Sequence, residues 1–151
     1  MQLRRATAAD LDLVQSISHD AYAPWVPILG APPLPMTLDY SPRIEQGEVW
    51  LAGDDALIVV ETGDGHLTIW SLAIRPENQG RGLGQWLMGE AERMARDAGL
   101  VELRLYTHPK MTRNVAIYER AGYRETGRRP NPYRPGWILI DMARPVNPHS
   151  A

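Results

Sequence analysis

The chain contains no cysteine. That excludes disulfides, thiolate metal sites and a cysteine nucleophile, and it suits a reducing, cytoplasmic setting. Long apolar runs are missing too. The longest, Ala56-Leu57-Ile58-Val59-Val60, falls far short of the ~20 residues a membrane-spanning helix needs, so no membrane association is expected. The opening Met1-Gln2-Leu3-Arg4-Arg5 has two arginines with no apolar stretch behind them, and no secretory leader is expected. Net charge is small: 16 basic against 18 acidic residues give −2, which offers little to hold a polyanion such as nucleic acid. The charge is unevenly spread. Residues 1–75 carry four Arg against ten Asp/Glu (−6), and residues 76–151 carry eleven Arg and one Lys against eight (+4). Such a split suits an anionic ligand on one part and a cationic one on the other; plain surface scatter is the alternative. What remains is 151 residues with 44% hydrophobic content, enough for a single domain spanning 1–151 around one core. The tail 145–151 is expected to be loose.

Periodicity and punctuation set the elements. Leu3 to Ala6 reads as a strand. Thr7, with Asp10 three residues on, opens a helix whose apolar positions Leu11, Val14, Ile17 and Ala21 carry it to Tyr22. Pro24, Pro27, Gly30 and Pro32-Pro33-Leu34-Pro35 then break regular structure, and Pro42 reduces a helix over Met36–Gln46 to pieces. Val49–Ala52, Ala56–Glu61 and Leu67–Ile74 read as an antiparallel meander. A long helix follows from Gly82, its apolar face made by Leu83, Trp86, Leu87, Ala91, Met94, Ala95 and Ala98, with Gly99 at its C-terminus. Val101–Tyr106, reached through that crossover helix, should lie parallel to the strand before it. A helix over Arg113–Ala121 ends at Gly122, and strands Tyr123–Gly127 and Trp137–Met142 flank a loop, Arg128–Gly136, with three prolines. The order β, α, α, β, β, β, α, β, α, β, β predicts an α+β (mixed α/β) fold: a mostly antiparallel sheet of six to seven strands flanked by about four helices.

The segment Leu72-Ala73-Ile74-Arg75-Pro76-Glu77-Asn78-Gln79-Gly80-Arg81-Gly82-Leu83-Gly84 runs from a strand through glycines into a helix. Unpaired first-turn amides and the positive end of the helix dipole make an anion site, glycines let a ligand approach the backbone, and Arg81 supplies a guanidinium for phosphate oxygens. A nucleoside-triphosphate loop requires Lys-Ser or Lys-Thr after its last glycine, and neither is present. The dinucleotide fingerprint Gly-x-Gly-x-x-Gly fails at Gln85, and its helix would follow a first βαβ unit and not a meander.

Gln79-Gly80-Arg81-Gly82-Leu83-Gly84 does fit Gln/Arg-x-x-Gly-x-Gly/Ala, the acetyl-CoA signature of the GNAT superfamily of N-acetyltransferases. Asn114-Val115-Ala116-Ile117-Tyr118-Glu119-Arg120-Ala121-Gly122-Tyr123 resembles that family's Asn-x-x-Ala-x-x-Tyr-Glu-Lys-x-Gly-Phe segment, and the element order resembles its fold. The resemblance implies acetyl-CoA as cosubstrate, with no metal. It implies that the amides of Gln79, Gly80, Arg81, Gly82, Leu83 and Gly84 bind the pyrophosphate. Leu72, Ala73 and Ile74 would line the pantetheine arm, and an amide near Leu72 would face the developing oxyanion.

Asn114 and Tyr118 lie four apart on one helix face. A phenol, with a pKa near about 10, is a competent proton donor to a departing thiolate, whose thiol has a pKa of about 8.5. By the resemblance Tyr118 is the general acid and Asn114 a ligand to the pantetheine or acyl region; the alternative is a core aromatic and a helix cap. Many relatives carry a carboxylate base on the strand before the glycine loop. Leu67–Ile74 holds none, which leaves His19, Asp20, Asp39, Tyr40, Glu61 and a water held by Ser71 as the remaining bases. The acceptor is expected to be a primary amine of a small molecule or peptide, contacted by the segment Tyr22–Tyr40 and the loop Arg128–Gly136. Tyr22, Trp25 and Tyr40 form an aromatic wall or simply cover the core, and Asp20 and Asp39 attract an ammonium. Arg128, Arg129 and Arg134 argue instead for a carboxylate or the cosubstrate's phosphates. A homodimer is compatible with all of this. The competing function is a catalytically silent acyl-CoA sensor or regulatory module.

Overall fold

The computed structural model describes residues 2–148. Strand β1 (Arg4–Arg5) pairs antiparallel with β2 (Val49–Ala52). Between them, Asp10 organises the entry to helix α1 (Leu11–Tyr22). Its carboxylate accepts the Thr7 amide at 2.8 Å and both terminal nitrogens of Arg4 at 2.9 Å, and those bonds hold it well below the usual carboxylate range. The helix buries Val14, Ile17, Ser18 and Ala21, one stripe of its surface. Three single turns follow: α2 (Val26–Leu29), α3 (Leu34–Thr37) and α4 (Ser41–Glu45). Each has a proline in its first two positions, where the missing N–H does no harm and the ring blocks extension backwards. The expected interrupted helix over 36–46 is therefore two turns, α3 and α4.

Strands β3 (Ala56–Gly63) and β4 (His66–Ile74) are longer than expected at their shared turn. Asp64-Gly65 closes them in two residues, with Gly65 at φ +76° in the left-handed region that glycine tolerates. Helix α5 (Leu83–Asp97) leads to β5 (Glu102–Thr107), then come α6 (Thr112–Arg120), β6 (Arg124–Pro130) and β7 (Ile138–Pro145). One seven-stranded sheet results, in the order β1-β2-β3-β4-β5-β7-β6. It is the mixed α/β arrangement expected, with one parallel pair, β4 with β5, in which Leu67 opposes Leu103 and Ile69 opposes Leu105. Among the described residues no helix is long and apolar enough to cross a membrane.

The chain groups into two compact units. One holds the described residues up to Glu61 together with Trp70–Met88; the other holds Thr62–Ile69 and the described residues from Gly89 onward. In the first, Val14, Ile17, Tyr40, Leu51, Leu57 and Ile58 are fully buried; in the second, Leu67, Leu103, Tyr123 and Met142 are.

Further differences from expectation lie in the second unit. Arg128, Arg129 and Pro130 belong to β6, not to a loop, because they pair with Ile140, Leu139 and Ile138 of β7. The segment from Pro145 is fastened, not loose: Val146 N–H donates to Val101 O at 2.9 Å, Glu92 accepts the Asn147 amide at 2.8 Å, and Arg96 donates to Asn147 O at 3.0 Å. Residues 149–151 of the expected tail lie outside the described residues.

Tyr123 is 1% exposed, and among the described residues its hydroxyl has no hydrogen-bond partner. Its ring packs edge-on against Tyr118 at 6.2 Å. An orphaned buried hydroxyl costs about 1–3 kcal/mol, whereas the ring itself is useful core. Tyr123→Phe should therefore raise unfolding stability by about 1 kcal/mol in denaturant titrations; a loss of stability would reveal a partner for the hydroxyl. His108, just past β5, accepts the Lys110 amide on Nδ1 at 3.0 Å and meets the Trp137 ring edge-on at 5.0 Å. Burial, then the Lys110 charge, holds its pKa below the ordinary value. A depressed histidine pKa means the unfolded chain takes up the proton first as pH falls, so the folded state loses stability below about pH 6.5. His108→Gln should flatten the fall in denaturation midpoint between pH 7 and pH 5; an unchanged slope would remove His108 from the acid response.

Candidate functional site

In the first unit, β4 hands the chain to a turn at Pro76–Asn78, an extended Gln79, and then Gly80 and Gly82 at φ +80° and +79°. Side chains other than glycine are strained in that left-handed region. A Cβ built at either glycine would meet nothing within 4 Å, so the demand for glycine is set by backbone conformation and the space over the loop is open. The first hydrogen bond into α5 is Trp86 N–H to Gly82 O at 3.0 Å. Among the described residues, the amides of Gly80 through Gln85 have no carbonyl to donate to. Six consecutive donors at the positive end of a 15-residue helix form a site for an anion with several oxygens.

The loop is fixed to the strand from two sides. Gln79 Nε2 donates to Ile74 O at 3.1 Å. At Gly84 a Cβ would lie 3.4 Å from Ile74 Cδ1 and 3.8 Å from Leu72 Cδ2, ordinary contact distances, so the first turn of α5 passes close to those two side chains. Ala73 between them is fully buried and has only backbone to offer a ligand. Arg81 is exposed and loosely held, its nearest partner being Asn78 Oδ1 at 3.5 Å.

Sequence reasoning missed Arg75. Its guanidinium pairs with Asp20, donates to Ser16 Oγ at 3.2 Å and to Asp54 O at 3.1 Å, and its amide donates to Asp55 O at 2.9 Å. One residue thus buckles the end of β4 to α1 and to the β2–β3 turn. No local pattern announces partners that lie 20 and 55 positions away. Tyr22, expected either as part of an aromatic wall or as cover for the core, has its hydroxyl 2.9 Å from Ser71 Oγ. Burial pushes this phenol up, so it stays protonated at neutral pH.

The base candidates fare poorly. Tyr40 is wholly buried, donates to Pro35 O and stands edge-on to Trp70 at 6.2 Å; burial pushes its phenol up, so it is core and neither base nor open aromatic wall. Asp39 accepts the Ser41 amide at 2.9 Å, which lowers its pKa. Glu61 pairs with Arg43, which also holds Glu48 at 3.2 Å and lies over Trp70 at 4.0 Å. Asp20 is taken by Arg75, His19 sits 3.4 Å from Asp20 on the surface, and Ser71 is engaged by Tyr22.

In the second unit, Asn114 and Tyr118 are both half-buried on α6, which Gly122 ends at φ +96°. Arg128 pairs with Glu125 at 3.0 Å, and Arg129 pairs with Asp141 at 2.9 Å and lies over Tyr106 at 5.1 Å. Those two of the three arginines expected to attract a carboxylate are already balanced; Arg134 lies over Trp137 at 5.7 Å. Among the described residues, no group of three or more His, Asp or Glu is placed to hold a metal ion.

Comparison with known proteins bears on the same segments. The mycothiol acetyltransferase of Beutenbergia cavernae is 31% identical over 95 residues, 54% of this chain and 32% of the relative; the chain thus spans about a third of that protein's length. The fold is that of the Escherichia coli ribosomal-protein-S18-alanine N-acetyltransferase (TM-score 0.74, 22% identity, 96% of this chain and 93% of that one). It is also that of the PaiA N-acetyltransferase of Thermoplasma acidophilum in complex with coenzyme A (TM-score 0.71, 14% identity, 93% and 96%). The acetyltransferase (GNAT) family profile matches residues 28–123. That match takes in the glycine loop with its six unpaired amides and the helix bearing Asn114 and Tyr118, and by it this chain belongs to the GNAT acetyltransferase family.

Proposed function

We propose that this protein transfers an acetyl group from acetyl-CoA to the primary amine of a small molecule or peptide, by direct attack in a ternary complex. The observation that carries the reading is the run of six unpaired amides, Gly80 to Gln85, at the N-terminus of α5. The donor set fits a pyrophosphate: several oxygens, two negative charges, approached over glycines whose Cβ positions are open. Arg81, exposed beside it, would add a guanidinium. Leu72, Ala73 and Ile74 would present backbone groups to the pantetheine arm. Membership of the family, and a neighbour of the same fold described with coenzyme A, support the choice of CoA over other diphosphates.

Tyr118 acts here as general acid. As the amine nitrogen forms its bond to the thioester carbon and the C–S bond breaks, Tyr118 gives its phenolic proton to the sulfur. A phenol does this readily because the thiolate is the less basic partner by only about 1.5 pKa units. Asn114, one turn earlier on α6, orients the acyl-bearing arm. The acceptor's own proton goes to solvent water, since the carboxylates that the sequence offered as bases are held by arginines or by the Ser41 amide. The Escherichia coli neighbour, a ribosomal-protein-S18-alanine N-acetyltransferase, and the mycothiol acetyltransferase support a peptide or a small amine as acceptor.

Release of free CoA from acetyl-CoA, measured across a panel of amines, tests the proposal. At least one amine should be turned over, and Tyr118→Phe should lower kcat roughly 10²-fold while CoA affinity stays nearly unchanged. Tight CoA binding without turnover of any amine would make the chain a silent binding module. Unchanged turnover in the variant would remove Tyr118 from the chemistry.

A further inference from the structure

The hydrogen bonds of the glycine loop are local. Among the described residues, those made by residues 76–81 all end within 74–79. Asn78 N–H donates to Arg75 O at 2.9 Å, Gln79 N–H to Pro76 O at 3.3 Å, Gln79 Nε2 to Ile74 O at 3.1 Å, and Arg81 reaches Asn78 Oδ1 at 3.5 Å. Where the loop lies is therefore set by what holds its first residues. Past the end of β4 that hold comes through Arg75. Its amide donates to Asp55 O at 2.9 Å. Its guanidinium pairs with Asp20, donates to Ser16 Oγ at 3.2 Å and to Asp54 O at 3.1 Å, and lies 3.7 Å from Asp55 Oδ1. The Arg75 side chain is only 15% exposed, so its pair with Asp20 is screened less than an ordinary surface ion pair.

We propose that Arg75 and Asp20 are a positioning pair for the diphosphate loop. They touch no part of the cosubstrate; they hold residues 74–76 in the place from which the amides of Gly80 to Gln85 are offered to one anion. The inference rests on the acyltransferase reading and concerns the loop of that same site. A guanidinium suits the task because its planar fork fixes direction as well as distance. The loop needs such a hold because Gly80 and Gly82, which supply its left-handed turns, are also the residues freest to adopt other conformations. A loop that spends a tenth of its time in the binding geometry raises the apparent Kd about tenfold. The proposal also opposes plain electrostatics in sign. Removing the Asp20 charge favours an anionic ligand by Coulomb's law, whereas losing the tie to Arg75 weakens its binding.

Calorimetric titration of CoA, with 15N spectra of the CoA-free proteins alongside, tests the pair and needs no acceptor. Asp20→Ala should bind CoA about tenfold more weakly than the parent, and the amide resonances of Gly80 and Gly82 should move in its CoA-free spectrum. Asp12→Ala makes the same charge change at an exposed position on the same helix; it should leave both the affinity and those resonances as they are. Arg75→Lys keeps the charge and loses the fork. It should weaken CoA about threefold or more, and it stands in, by the same criteria, if Asp20→Ala does not fold. CoA binding by Asp20→Ala as tight as the parent's or tighter would overturn the pair, as would weakened binding with Gly80 and Gly82 unmoved. Failure of the parent to bind CoA would instead overturn the acyltransferase reading, while the glycine resonances would still report on the positioning.

Discussion

Six backbone amides at the start of α5 have no carbonyl to donate to, and the surrounding structure makes sense as the means of keeping them that way. A helix N-terminus always leaves donors over; ordinarily a side chain or an upstream carbonyl takes some of them. Here the chain approaches through Gly80 and Gly82 in left-handed conformations, and among the described residues no upstream carbonyl takes those donors. Gln79 would be the natural capping side chain, but it points the other way and is spent on Ile74 O. The loop is thus organised around donors that wait for an acceptor from outside.

That arrangement has to be held against a strand, and Gln79 and Arg75 do so. Gln79 Nε2 donates to Ile74 O, which ties the loop to the backbone stretch that would carry the pantetheine. Arg75 joins the same strand end to α1 and to the β2–β3 turn. A guanidinium with three kinds of partner makes a stiff joint because its planar fork fixes direction as well as distance. Arg75 thus fixes the end of β4 to the end of α1.

Much of this was legible in the sequence. Regular periodicity gave the long helices α1 and α5 nearly to the residue, because an amphipathic stripe bounded by Asp10 at one end and Gly99 at the other is a local signal. The glycine loop was legible for a similar reason: Gly80 and Gly82 are needed for their own backbone angles, and that need is written at their own positions. What escaped was non-local. Arg128 and Arg129 sat among prolines and looked like loop, yet β7 supplies ladder partners that extend β6 through Pro130. Asp20 and Glu61 looked like free carboxylates because Arg75 and Arg43, which hold them, are 55 and 18 residues away. Tyr40 was open to reading as part of an aromatic wall or as cover for the core; it is fully buried and donates to Pro35 O.

The account stands on the loop amides as the binding surface for the diphosphate, and they can be watched individually. Titrating CoA into the 15N-labelled protein should move the amide resonances of Gly80, Gly82 and Gly84 together and to saturation, while those of Gly53 and Gly136, in turns remote from the loop in sequence, stay in place. CoA binding that shifts other amides and leaves these three unmoved would contradict the account.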